Sequence, residues 1–236
     1  MLVLLFVVQF WLEGLHKTRW MVLAACAVLL LTAITVPLAN RLPLSVQRCL
    51  TVFPLDLDPS AIEDARGSTQ WRLEMWRLIV PDIPKYFWVG KGFAIDPKDM
   101  YFATEGQRFG GSGVESSIVA GDYHSGPLTV IMPFGIWGVL AFTWFIVSSF
   151  RVLWINYKNS EQEMQTTNTF LLCFFVSKTL FFLVFFGSFY VEFVSFASLV
   201  GLSVSINRGV GTVRHEQVSV QPARREPEVT GTWQPA

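Results

Sequence analysis

Two stretches of this chain are too apolar, for too long, to rest in water. Trp20 to Ala39 runs 20 residues without a charge, and residues 168–206 run 39 residues with only Lys178 and Glu192 ionised. A helix needs about 20 apolar residues to cross the hydrocarbon of a bilayer. The first run fits one crossing. The second fits two and predicts a hairpin turning near Ser188–Tyr190. Pro127 to Ser149 makes a further span, in which Pro133, Gly135 and Gly138 are breakers that neighbouring helices can accommodate in a membrane. Met1 to Leu12 is apolar but short, and reads as part of a span. The expectation is an all-α integral membrane protein with four to five transmembrane helices. Hydrophobic residues make up 52% of the 236, charged residues 15%, and mean hydropathy is +0.43. Gathered into runs, that density means lipid contact rather than a large soluble core.

Charge marks the remaining organisation. Residues 40–126 hold nine of the 18 basic and eleven of the 18 acidic residues. They form a large loop outside the lipid. The chain thus divides into N-terminal spans (1–39), the loop (40–126), C-terminal spans (127–206) and a tail (207–236). The tail is rich in Arg, Glu, Pro, Val and Thr without apolar periodicity, and is expected to be disordered. Net charge is zero, which removes any bulk attraction to nucleic acid. Three cysteines give neither a disulfide framework nor metal spacing. Basic residues in short segments set orientation. Lys17 with Arg19, Arg151 with Lys158, and the tail arginines 208, 214, 224 and 225 all fall on one side. That side is read as cytoplasmic, and the loop as outside.

The loop is expected to be partly helical. Pro43 can open a short helix that Pro54 closes, with Val46, Leu50 and Phe53 on one face, lying at the membrane surface. A second helix is predicted over about Ser68–Val80, capped by Ser68 and ended by Pro81. Trp71, Met75 and Leu78 form its apolar stripe, and Arg72 neighbours Trp76. Gly90-Lys-Gly-Phe93 reads as a turn, and 106–113 as a mobile loop. Neither has the lysine and hydroxyl of a phosphate-cradling loop.

Tyr123-His-Ser-Gly-Pro127 opens the next span, with Ser125 as N-cap and Pro127 in the first turn. His124 therefore sits at the membrane surface, before the positive end of a helix that disfavours a further positive charge. A neutral imidazole there accepts a proton, as a general base must.

Three segments in this order resemble one family: Ser68-Thr-Gln-Trp-Arg-Leu-Glu-Met-Trp76, Val89-Gly-Lys-Gly-Phe93, and His124-Ser-Gly-Pro-Leu with Phe134-Gly-Ile-Trp-Gly138. Together they look like the O-antigen ligase and polymerase family of bacterial envelopes, over residues 40–145. The resemblance implies a multi-pass protein of the bacterial inner membrane whose large loop is periplasmic. It implies transfer of glycan from an undecaprenyl diphosphate carrier to an acceptor hydroxyl, on lipid A–core in ligases or another repeat unit in polymerases. Neither metal nor nucleotide sugar is implied. The family's loop arginine, thought to hold the carrier diphosphate, matches Arg72; its catalytic histidine matches His124. The family's usual His-Asn is His-Ser here. An earlier family arginine has either no counterpart or Arg48. Members carry more spans than this chain, which looks like the C-terminal half of one, with a partner chain as one source of further helices.

Each assignment has a plainer rival. His124 could be an interfacial packing residue, and Arg72 could cover an apolar face with its stem. The remaining loop cations are read as solvated or acid-paired, and the phenylalanines of 174–186 as lipid-facing or packing residues. Lys178 and Glu192, inside the last two spans, are read as an ion pair. An inactive fragment and a transporter are the rival functions. A transporter would need polar residues along several spans, and only Lys178 and Glu192 qualify.

Overall fold

The computed structural model describes residues 1–93 and 113–211, with isolated positions at Pro97, Met100, Tyr101 and Thr104. Residues 106–112 and the tail beyond Gly211, for which the sequence predicts mobility and disorder, lie outside the described residues. In chain order the helices are α1 (Leu2–Leu12), α2 (Arg19–Thr35), α3 (Leu44–Leu50), α4 (Pro59–Ile79), α5 (Ile83–Tyr86), α6 (Val114–Val119), α7 (Gly126–Asn159), α8 (Gln162–Val184) and α9 (Phe189–Ile206). No strand occurs among the described residues. The protein is an all-α membrane protein. Helices α7, α8 and α9 are long and apolar enough to cross a bilayer, and α1 and α2 are shorter apolar helices.

Helices α7, α8 and α9 pack up and down around Val130, Leu153, Leu171, Leu172, Phe175, Phe182 and Phe196. Helix α1 lies against α8, with Leu12 touching that core. Helix α2 buries no residue. At one end of the bundle Gly126 lets α7 approach α8 backbone to side chain: a methyl there would fall 2.3 Å from the Phe182 carbonyl oxygen. The Thr129 hydroxyl accepts from the Phe189 N–H (3.2 Å), tying the start of α9 to α7.

The opposite end is held by amides. Asn156 Nδ2 donates to Ser203 Oγ (2.9 Å), and its Oδ1 accepts from Gly211 N–H (2.7 Å). Asn168 and Asn207 exchange amide bonds, each 2.8 Å. Both Asn156 and Asn168 are buried, so each must be bonded to be tolerated there.

Lengths differ from the sequence reading for a physical reason. Helix α7 has 34 residues, about 51 Å at the α-helical rise. It continues past the hydrocarbon through Arg151 and Lys158, and α8 already begins at Gln162. The polar stretch 150–167, which separates the span ending at Ser149 from the apolar run beginning at 168, is therefore mostly helix. Polar residues lower the hydropathy of a helix without ending it.

In the loop, α4 starts at Pro59 rather than near Ser68. Its cap is Asp58, whose carboxylate accepts from Ser60 N–H (2.9 Å). The Ser60 hydroxyl also donates to that carboxylate (2.6 Å), and the two bonds, the hydroxyl's first and the N–H's second, hold the Asp58 carboxyl below its usual range. The buried side chains of α4 are Ala61, Met75 and Ile79; Leu78, assigned to the stripe, is exposed. Met75 and Ile79 join Val114, Tyr123 and Met132 in a second core. The loop therefore packs onto the first turns of α7. Helix α3 is placed by Gln47, which is buried; its amide donates to the carbonyls of Asn40 and Leu42 and accepts from Asp58 N–H.

Candidate functional site at the mouth of the bundle

Helix α7 is broken near its start. Pro133 has no N–H to give, and Gly135 stands at φ 61°, ψ −160°, a conformation essentially reserved for glycine. A break of this kind frees backbone groups that lipid cannot satisfy. The loop satisfies them. Lys91 N–H donates to the Met132 carbonyl (2.7 Å) and Gly92 N–H to that of Pro133 (3.0 Å). Ile136 N–H donates to the Phe87 carbonyl (2.6 Å). The sequence reading assigned this compensation to neighbouring helices; it comes from the loop stretch 87–92 instead.

The fit leaves no room for side chains. A methyl on Gly90 would lie 2.2 Å from the Pro133 oxygen, and Gly90 has φ +81°. Gly92 also has a positive φ but faces open space. Gly92→Ala should therefore cost only backbone strain, about 1–3 kcal/mol. Gly90→Ala should add crowding against backbone that cannot move, roughly another 1–3 kcal/mol. Thermal unfolding of the two variants in detergent checks this; equal losses would remove the docking from the explanation.

This docking positions the His124 turn. The indole Nε1 of Trp76, on α4, donates to the Tyr123 carbonyl (3.0 Å), fixing the backbone immediately before His124. His124 N–H faces Asp122 Oδ1 at 3.3 Å, and His124 adopts a left-handed φ of 48°. Histidine tolerates that region better than most residues, yet a non-glycine there is held by its surroundings. Trp71 meets the imidazole edge-on, centroids 4.9 Å apart.

From the bundle side, Phe186 comes up in the α8–α9 turn. Its ring lies 5.1 Å from the imidazole centroid, and the Arg72 guanidinium lies over the same ring at 5.9 Å. Gly67, Ser68, Trp71, Arg72, His124 and Phe186 line one cavity of about 390 Å³. The two residues singled out from sequence, Arg72 and His124, thus share one cavity.

Arg48 stands one step back. It pairs with Asp64 at 2.8 Å and donates to Ser68 Oγ, a residue of the cavity wall. Phe186, read from sequence as lipid-facing or packing, packs between the two polar groups. Nothing in a phenylalanine-rich run distinguishes it. Arg72 neighbours Trp76 along the helix, but the ring beneath its guanidinium is Phe186, while the Trp76 indole turns toward Tyr123. Among the described residues no cluster of His, Cys, Asp and Glu comes together to hold a metal ion.

A helical membrane bundle thus carries a folded loop over its mouth, with a guanidinium and an imidazole lining one cavity. The family model described as O-antigen ligase (Wzy_C) matches residues 1–143. The chain belongs to that family, and so to ligase- or polymerase-type glycan biosynthesis at a membrane. No curated protein and no solved structure matches it.

Proposed function

We propose that the protein transfers a glycan from an undecaprenyl diphosphate carrier to a sugar hydroxyl of lipid A–core, at the periplasmic face of the bacterial inner membrane. The observation that carries this reading is the shared cavity of Arg72 and His124 over Phe186. His124 takes the proton of the acceptor hydroxyl. The hydroxyl oxygen forms a bond to the anomeric carbon as the bond from that carbon to the carrier diphosphate breaks. The diphosphate leaves with the electron pair, and Arg72 grips it through a planar fork that matches two phosphate oxygens. Arg48, fixed by Asp64 and Ser68 at the cavity edge, is the second diphosphate-binding candidate. The three groups needed are supplied by side chains, without a cofactor. The C-terminal tail then faces the cytoplasm, and the substrates arrive from the lipid and the periplasm. Transfer to another repeat unit, the polymerase reaction, would use the same chemistry with a different acceptor.

Reconstitution with a lipid-linked oligosaccharide and lipid A–core tests the proposal by release of carrier diphosphate and appearance of glycosylated core. Arg72→Ala should slow release by about 10²–10³-fold, the usual effect of deleting one group that stabilises developing charge. Release at an undiminished rate would remove Arg72 from the reaction. Growth of the carrier-linked glycan with no glycosylated core would reassign the chain as a polymerase.

A further inference from the structure

One wall of the Arg72 cavity is bare where packing does not require it. Helix α4 lines the cavity with Gly67, Ser68, Trp71 and Arg72. Gly67 is the ninth of the 21 residues of that helix, an interior position where glycine is the least favourable residue after proline. The glycines of the other helices have a neighbour to accommodate or lie in lipid. Gly126, Gly135 and Gly138 each have atoms less than 3 Å from where a side chain would begin. Gly201 lies in the span α9, and glycine is frequent in spans. Gly67 stands outside the lipid and its φ is not left-handed. Beyond its own helix backbone, no atom of the described residues lies within 4 Å of where its Cβ would stand.

The place of this bare strip is specific. Four residues separate Gly67 from Trp71, one turn or about 6 Å along the same face of α4. At the Trp71 end stand the polar groups of the cavity. The indole meets the His124 imidazole edge-on, and the Arg72 guanidinium lies over Phe186. At the Gly67 end the Ser68 hydroxyl accepts from Arg48 and has an O–H of its own to donate. The strip between the two ends carries no cation. Bare backbone, an indole and a hydroxyl suit an uncharged ring bearing hydroxyl groups, whereas a phosphate needs the guanidinium.

We infer that the sugar bonded to the carrier diphosphate lies across Gly67, and that the missing side chain there decides whether this sugar fits. The inference rests on the reading of Arg72 as the diphosphate grip. With the diphosphate at Arg72, the anomeric carbon falls beside it, at the His124 end of the cavity. The rest of the ring then extends along α4 over Gly67. Bare backbone lets the ring lie one side chain closer to the helix, as glycine does wherever a ligand approaches the main chain. Gly67 is thus a specificity determinant for the donor and touches no reacting atom.

The test measures equilibrium binding of undecaprenyl diphosphate, with and without its glycan, to the full chain in detergent. Gly67→Ala and Gly67→Leu place better helix formers at an exposed position, so each should raise the unfolding temperature by about 2–4 °C. Lost binding then cannot come from lost folding. Gly67→Leu should weaken binding of the glycan-bearing carrier by about tenfold or more, the size of one overpacked contact, and Gly67→Ala by less. Neither should change binding of the bare carrier diphosphate, whereas Arg72→Ala should weaken both. Undiminished binding of the glycan-bearing carrier by Gly67→Leu would overturn the assignment. Equal losses on the two ligands would overturn it too, by putting the diphosphate over Gly67. Glycan-carrier binding that depends on residue 67, in a wild type that transfers nothing, would uphold the sugar's seat and defeat the transferase reading. Transfer by Gly67→Leu at the wild-type rate would do the reverse.

Discussion

Alanine at His124 is expected to lower glycan transfer by roughly 10²–10⁴-fold, the usual contribution of a positioned general base, with protein levels near wild type. The imidazole is half-buried, and its surroundings point it rather than depend on it. Trp76 fixes the carbonyl of Tyr123, Trp71 bounds one edge of the ring, and Phe186 bounds another. Of these, the Trp76–Tyr123 bond survives loss of the side chain and still joins α4 to the His124 turn. The second core of Met75, Ile79, Val114, Tyr123 and Met132 does not include it. The measurement is surface polysaccharide attachment in cells that depend on this protein, alongside its abundance in the membrane. Normal attachment at normal abundance would take His124 out of the chemistry and leave it a packing residue.

A second large effect is expected inside the bundle. Lys178 on α8 and Glu192 on α9 form an ion pair whose side chains are only 12% and 15% exposed. Lys178 lies six residues before the end of α8, about 9 Å down the helix at its usual rise. Removing either partner leaves a lone charge where hydration is poor, at a cost of about 3–5 kcal/mol. Lys178→Ala and Glu192→Ala should each lower the unfolding temperature in detergent and the yield in membranes. Replacing both by methionine should recover most of the loss, since well-packed apolar substitutes of a buried pair are often neutral or better. Exchanging the two charges should also preserve folding. A double variant whose loss equals the sum of the two single losses would show that the residues act separately. The pair brackets the turn that carries Phe186, so the single variants should also lose activity.

The sequence itself announced the membrane bundle. Long apolar runs leave a helix almost no alternative in lipid, because every backbone polar group must be satisfied within the segment. The hairpin of 168–206 appears as α8 and α9, and the Lys178–Glu192 pair was legible because two charges in hydrocarbon have few other partners. The start of α7 at Ser125–Gly126 was equally readable from its capping residue and proline. Helix ends in the polar regions were less so, since α4 begins nine residues before its predicted cap and α7 runs ten residues past its predicted end.

The site divides in the same way. Arg72 and His124 stood out through the residues beside them, because a motif is local. Their convergence depends on a phenylalanine sixty-two residues beyond His124, on a turn whose sequence carries no chemical mark. The docking of Gly90 onto Pro133 is of the same kind: each segment by itself reads as a flexible turn or a tolerated kink. Only the folded chain brings the loop's N–H groups to the carbonyls that the break in α7 exposes. Hydropathy is a property of single residues and survives in one dimension. Backbone complementarity is a property of pairs distant along the chain, and only tertiary packing fixes which pairs meet.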